Sequence, residues 1–490
     1  MSHRLTRLLL SNETVAQTVL KNSFWLGVSQ ILSRLLRAVI VIYAARTLGA
    51  NGYGVFSYAL AIGGFLALFS DIGVNWILVR EGAKNPHLRG KYLATTFFIK
   101  VTLLTVSCLL VLFAAPYFIK IEAAKVLLPW VGLLFLSDGL REFGFAVVRT
   151  MEKMEIEAGI NIFTNFATVA IAITALIYHP SPYNLTVAYA IASVVGSVMA
   201  AYWLRQWLNR LAVDFSHQLI RPLIDAIWPF AATNLLWSVL TFTDTLMLGW
   251  IHTAEQVGWY AAAQRPVQLL LSLPFIVAAS VLPSLSRFAL TDNVKFKQLF
   301  ERALALVMLI TLPLVGGTWM MSQPLTLLLY GPDYLATATV LRILSIGFLI
   351  TFPWVVVTNA IFAQNLQKAF LPHMLFGAIS NIILNWFMIP QWGATGAAVA
   401  TVISQLAAYG WIFLVIRRRN QLVVVPHIYR MVIATVAMMG LIWLMQLWQT
   451  NFYITVGSAV VGYGLGLWIT REPLLKQLGQ IWRGAESAKN

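Results

Sequence analysis

Apolar runs of about 20 residues, the length that crosses a bilayer as a helix, follow one another along nearly the whole chain. Their edges predict fourteen spans: 16–45, 51–78, 92–116, 125–150, 156–178, 184–208, 223–250, 257–287, 299–321, 336–363, 368–390, 392–417, 427–448 and 451–470. The runs are continuous rather than alternating with a period of two, which argues against a closed β-barrel. The fold class read from this pattern is an all-α polytopic membrane protein.

A weak internal echo organises the spans. "NGYGVFSYA" (51–59) and "EQVGWYAAA" (255–263) align Gly54 with Gly258, Phe56 with Tyr260 and Ala59 with Ala263, an offset of 204 residues. A fainter echo links "NIFTNFATVAIAITALIY" (161–178) to "ISNIILNWFMIP" (379–390). The expected organisation is an N-terminal six-helix lobe (1–210), a C-terminal six-helix lobe (211–420), and helices 13–14 with a tail (421–490). Six spans per lobe is an even number, so the lobes insert alike, with a pseudo-twofold axis along the membrane normal. Pro266, Pro274, Pro283 and Pro353 fall inside spans and predict bends.

Composition agrees with the pattern. The chain is 59% hydrophobic and 11% charged, against about 25% charged in soluble domains. Its net charge of +16 would suit nucleic acid, but the positions of the charges say otherwise. Alternate connections ("REGAKNPHLRGK", "RTMEK", "RQWLNR", "SRFALTDNVKFK", "RRRN" and the tail) hold about 25 of the 34 Lys and Arg residues. The intervening ones ("YHPSPYN", "IHTAEQ", "YGPDY", "QWGATG", "QTN") are nearly free of them. This asymmetry places both termini in the cytoplasm and gives no nucleic-acid partner. The N-terminus lacks a cleavable-leader pattern. The single Cys108 excludes an intramolecular disulfide, and the seven histidines lack metal-ligand spacing. No metal and no other cofactor is expected.

The charges inside the spans need an explanation, because an arginine at the bilayer centre costs roughly 3 kcal/mol or more. Gln30, Arg34 and Arg37 share one face of span 1, with the two arginines about 16–21 Å from the start of its buried part, taken as Ser23 to Arg46, too deep to snorkel. Lys100, Arg141, Glu142 and Asp71 lie nearer the inner surface, and Asp244, Arg265 and Arg342 nearer the outer one. With Asp138 included, six Lys/Arg face four acids at membrane depth. Two readings stand. Some of these groups are ion pairs between helices, such as Asp244 with Arg265, or Asp71, Lys100, Arg141 and Glu142 among themselves. Or Arg34 and Arg37, together with Arg265, Arg342, Arg141 and Lys100, form a cationic cavity for an anion. Guanidinium matches two phosphate oxygens at once, which makes phosphate the natural anion.

Three blocks carry a resemblance. "ARTLGANGYGVFSYALAIGGFLALFSDIGVNWILVRE" (45–81), "YGPDYLATATVLRILS" (330–345) and "NIILNWFMIPQWGATGAAVATVISQ" (381–405) resemble the oligosaccharide flippases of the polysaccharide-biosynthesis transporter family. That family shares a superfamily with multidrug antiporters and the lipid II flippase. The resemblance covers about residues 16–420 and departs at Gln405, where an acid is frequent. It implies movement of undecaprenyl-diphosphate-linked sugar repeats to the outer leaflet of the cytoplasmic membrane, for O-antigen, capsule or exopolysaccharide. The protein would then be a transporter and not an enzyme. Diphosphate would bind the cationic cavity, and Trp25, Trp237, Tyr260 or Trp354 could stack on sugars. Protons or sodium are the candidate coupling ions, with Asp244 and Asp71 as the coupling or ion-pair residues. Implied partners are membrane lipid, a polysaccharide polymerase and a chain-length regulator, around a monomer. A multidrug-type antiporter is the competing reading, followed by a membrane polymerase or glycosyltransferase. An antiporter for amines would want an acidic cavity.

Overall fold

The computed structural model describes residues 14–208, 211–289, 291–364, 370–420 and 428–474. The N-terminal stretch and the basic tail beyond Leu474 lie outside the described residues. Among the described residues there are helices and no strands. The main helices are α1 (Val15–Leu66), α2 (Val74–Lys84), α3 (Arg89–Leu109), α4 (Leu128–Thr150), α5 (Met154–Tyr178), α6 (Pro182–Leu208), α7 (Ile220–Ile251) and α8 (Ala254–Leu270). They continue with α9 (Ser272–Phe288), α10 (Asn293–Tyr330), α11 (Leu335–Ile346), α12 (Phe348–Ala363), α13 (Phe370–Asn420), α14 (Ile428–Leu447) and α15 (Phe452–Ile469).

Nine of the described helical stretches are long and apolar enough to cross a membrane, ten if the bent pair His217–Trp228 and Phe230–Ile251 counts as one. The chain is a multi-pass membrane protein. The sequence reads fourteen separate spans; two of the differences arise at connections, while the fourth, seventh and eighth predicted spans are not among the nine stretches. Spans 1 and 2 are joined without a loop, with the chain turning at Gly49 (φ 66°) inside α1. Spans 11 and 12 are joined at Gly393 (φ 54°) inside α13. Only glycine adopts these angles at little cost, so one residue replaces a loop at each place.

Three predicted spans are broken, the tenth at Gly347 between α11 and α12. The second ends in a 3-10 turn at Ala67–Ser70, after which Asp71, Ile72 and Gly73 (φ 107°) interrupt the helix before α2. Gly73 is required twice, since a Cβ there would also stand 2.8 Å from that of Phe230. The eighth breaks at Leu271, three residues before Pro274, whose missing N–H cannot serve the carbonyl of residue 270.

Contacts divide the chain into two units, Met1–Gly258 and Trp259–Asn490. In the first, α1 packs on α5, α4 on α6 and α5 on α6. There α1 and α8 also cross at a small-residue contact. A Cβ on Gly54 would fall on the carbonyl oxygen of Ala254, and one on Gly258 on that of Ala50. The positions equated by the 204-residue echo therefore touch each other crosswise. In the second unit α10 anchors the core, contacted by α11, α12 and α14. The Tyr463 hydroxyl donates to the Leu309 carbonyl (2.9 Å) and Gln446 Nε2 to that of Met320 (2.9 Å), which ties α14 and α15 to α10.

Candidate functional site

The rotation of α1 is set by its contact with α5. Ser29 and Ser33 are buried and accept hydrogen bonds from Asn161 Nδ2 (3.0 Å) and Asn165 Nδ2 (3.2 Å). Asn165 also donates to Asn161 Oδ1 (3.0 Å). Below them Lys21, 1% exposed, meets Glu155 at 3.0 Å. Both polar pairs repeat every four residues, so they form a ladder along the crossing. With Ser29 and Ser33 turned into α5, the neighbouring face carrying Gln30, Arg34 and Arg37 is left exposed. Arg37 Nε donates to the Ser33 carbonyl (3.3 Å).

Within electrostatic reach of Arg37 lie Tyr189, Arg34, Asp138 and Arg141. Asp138 and Arg141, one turn apart on α4, pair at 2.8 Å. Ser193 of α6 donates to Asp138 and to the Leu134 carbonyl (3.3 Å), and accepts from Arg141 Nη1 (3.4 Å). An acid therefore stands near Arg37, and it is already held by Arg141 and Ser193. Arg34, Arg37 and Arg141 thus gather near Asp138, with Glu142 also in electrostatic reach of Arg141 and Asp138, so a positive excess remains. Arg141 Nε is buried and makes no hydrogen bond among the described residues.

The inner charges form a second, compensated group. Lys100 is 1% exposed and lies 3.6 Å from Asp71, and Glu142 acts on it as well. Asp71 sits at the break before α2. Its carboxylate accepts from Asn75 Nδ2 (2.6 Å) and its carbonyl from Asn234 Nδ2 (3.3 Å). Arg149 is held by both oxygens of Glu157 (2.8 and 2.5 Å). Three acids here face two bases, so the group offers an anion nothing. The sequence places Arg141 in this inner set; in the structure it pairs with Asp138, in reach of Arg37, and also acts on Glu142.

The remaining candidates divide between the two units. Asp244, 2% exposed on α7, belongs to the first unit. In the second unit Arg265 Nη1 donates to Gln268 (3.5 Å) and Arg342 Nε to Ser322 (2.6 Å). Of the aromatics named from sequence, Tyr260 is fully buried with its hydroxyl 3.3 Å from that of Thr401. Trp354 stacks on Tyr409 with centroids 4.4 Å apart. Trp25 packs edge-on to Phe24, and Trp237 is exposed. Tyr260, and one face of Trp354, are thus occupied by protein. No group of three metal-ligating side chains occurs among the described residues.

Ser29, Ser33, Asn161, Asn165 and Ser193 escape a reading that follows formal charge alone. Their signal was the four-residue spacing of Ser29, Ser33 and Arg37, and of Asn161 and Asn165.

The Polysaccharide biosynthesis protein family matches residues 19–289, and MatE matches 229–387. An O-antigen transporter of Shigella flexneri is 25% identical over 410 residues, 78% of this chain and 94% of that one. A flippase of Haloferax volcanii, AglR, is 22% identical, covering 77% and 79%. Among solved structures, the lipid II flippase MurJ in an inward closed conformation superposes with a TM-score of 0.74 at 18% identity, over 92% of this chain and 99% of that one. An inward-facing multidrug MATE transporter of the MOP superfamily gives 0.60 at 15%, over 85% and 97%. These likenesses at low identity show a shared fold. The family match spans more than half of the sequence, and the chain belongs to the polysaccharide biosynthesis protein family.

Proposed function

We propose that this protein is a transporter that moves polyprenyl-diphosphate-linked oligosaccharide repeat units from the cytoplasmic to the outer leaflet of the cell membrane, for O-antigen, capsule or exopolysaccharide. The observation that carries the reading is the gathering of Arg34, Arg37 and Arg141 near Asp138, where the bases outnumber the acids. A diphosphate brings negative charge to that positive excess, and a guanidinium fork binds it with two bonds at once. The names of the family and of the relatives support the substrate class. A multidrug-type antiporter would need this surface to be acidic in order to hold a protonated amine.

The same proposal includes fourteen crossings, with Gly49 and Gly393 as the outer turns of two hairpins, and cytoplasmic termini. It includes a monomer working beside a polymerase and a chain-length regulator. Asp244 is the proposed coupling carboxylate, for protons or sodium. Asp244→Asn should then keep transport in proteoliposomes but lose its dependence on an ion gradient, and retained dependence refutes that role.

Reconstitution tests the main claim. Proteoliposomes holding the protein and a lipid-linked oligosaccharide should make the sugar accessible to an external glycosidase. The Arg34→Ala/Arg37→Ala variant, recovered in normal amount, should not. Equal rates for the two proteins would reject the reading.

A further inference from the structure

The helices α3, α4 and α6 of the first unit enclose an apolar cleft of ≈360 Å³ that the transport reading does not use. Leu93, Phe97, Leu140, Phe143, Val198 and Leu204 line it. Small residues make the room: a Cβ on Gly144 would already meet Leu204 at 3.3 Å and Ala200 at 3.4 Å. The cleft has little to give a sugar. Its two serines are Ser137 and Ser197, and the Ser197 hydroxyl is donated to the Ser137 carbonyl.

At one end the cleft changes character. Leu204 and Trp207 are shared with a second cleft of ≈310 Å³, whose lining includes Lys153, Arg205, Tyr202, Trp203 and Gln206. This end lies at the "RTMEK" and "RQWLNR" connections, on the basic side of the chain. The Arg205 guanidinium stands 4.6 Å over the Tyr202 ring. The acids that open α5 are engaged elsewhere, Glu155 with Lys21 and Glu157 with Arg149. Among the described residues neither Lys153 nor Arg205 makes an ion pair. Tyr202 and Trp203 are exposed beside them, as aromatics are where a helix leaves the hydrocarbon for the headgroups.

A dry apolar slot that opens at headgroup depth onto two cations and an aromatic rim has the shape of a chain-bearing anion. We infer that these joined clefts bind an anionic phospholipid of the leaflet they face, one acyl chain lying between α4 and α6 and its phosphate on Lys153 and Arg205. Basic pockets between transmembrane helices recognise such headgroups. The wide exposure of Val198 (63%) and Tyr202 (63%) leaves the slot open sideways, so a lipid reaches it from the bilayer. The site is separate from the Arg34, Arg37 and Arg141 cluster and does not depend on the substrate proposed above.

Native mass spectrometry of the full-length protein, loaded with phosphatidylglycerol or phosphatidylcholine of the same chains, tests this. The wild type should retain phosphatidylglycerol in preference. Lys153→Gln and Arg205→Gln should each lower its apparent affinity roughly fivefold, the factor expected for one basic side chain at a membrane surface. Ala201→Trp, which fills the slot, should lower retention of both lipids. Both exchanged cations are exposed or at the rim, and unchanged melting temperatures confirm folding. Equal retention of the two lipids by the wild type overturns the inference. So does unchanged phosphatidylglycerol binding in Lys153→Gln/Arg205→Gln. Displacement of phosphatidylglycerol by polyprenyl diphosphate at equal concentration also overturns it, assigning the clefts to the transported lipid instead.

Discussion

Arg37 spends one donor on the backbone of its own helix, and Arg141 keeps a buried Nε with no hydrogen bond among the described residues. The N–H donors these two guanidiniums have left over are what an incoming diphosphate would use. Arg37→Lys should therefore retain part of the transport rate, because it restores charge without the planar fork, while Arg37→Ala should lose nearly all of it at normal abundance. A lysine variant as inactive as alanine would show that geometry alone matters. Lys100 behaves differently, since it is buried and its charge is answered by Asp71. Asp71→Asn removes the carboxylate nearest that ammonium and leaves Glu142 as the remaining acid acting on it, and losing one partner of a buried pair costs roughly 3 kcal/mol where no other charge compensates. Folded protein in the membrane should fall with Asp71→Asn and recover in Asp71→Asn/Lys100→Met. Thermal unfolding of the purified variants measures both, and a double variant no better than the single one removes the pair from the account.

At the scale of elements, close approaches and caps decide the outcome. The crossing of α1 and α8 leaves no space for a methyl group at Gly54 or Gly258. Gly54→Ala must separate two backbones, and such overpacking typically costs 1–3 kcal/mol. Its melting temperature should drop, whereas Gly159→Ala, where a Cβ meets nothing within 4 Å, should leave it unchanged. Asp292 caps α10 by accepting from the backbone of Val294 (3.1 Å) and Lys295 (3.0 Å). The hydrogen bonds from Lys295, first from its backbone and then from its side chain, hold this exposed carboxyl below the ordinary aspartate range. A lowered folded pKa contributes stability in full above the unfolded value, and the contribution fades as pH falls through the folded one. The stability difference between the wild type and Asp292→Asn should thus be present at neutral pH and shrink on acidification. A difference independent of pH would deny the carboxylate its part.

For the molecule as a whole, the basic connections set orientation. With Cys108 replaced by serine, a cysteine at Arg419 should resist an impermeant reagent added to intact cells, and one at Thr395 should react. Labelling at position 419 would invert or break the fourteen-span topology. Helix positions were legible because a bilayer demands long apolar runs, and α4 to α7 and the last two helices begin and end within a few residues of where hydropathy puts them. The turn at Gly49 falls in the gap the sequence leaves between spans 1 and 2, but the break at Asp71 to Gly73 was not legible. A glycine inside an apolar run reads alike whether it breaks a helix or lets another helix near.

The sequence alone determined the helical class, the membrane setting, the alternation of basic connections, and which charges lie at depth. These follow from the solvent, which acts on each residue separately. Which charges meet was decided by tertiary structure. Hydropathy fixes how far along a helix Arg37, Asp138 and Arg141 lie but not how each helix is turned. The turning of α1 is set by Ser29 and Ser33 against Asn161 and Asn165, four uncharged side chains about 130 residues apart in sequence. Only when that ladder is formed do the arginines of α1 fall beside Asp138 and Arg141, while Lys100 meets Asp71. Pairing in a low-dielectric interior depends on distances of a few ångströms, and those are set by packing between helices remote in sequence.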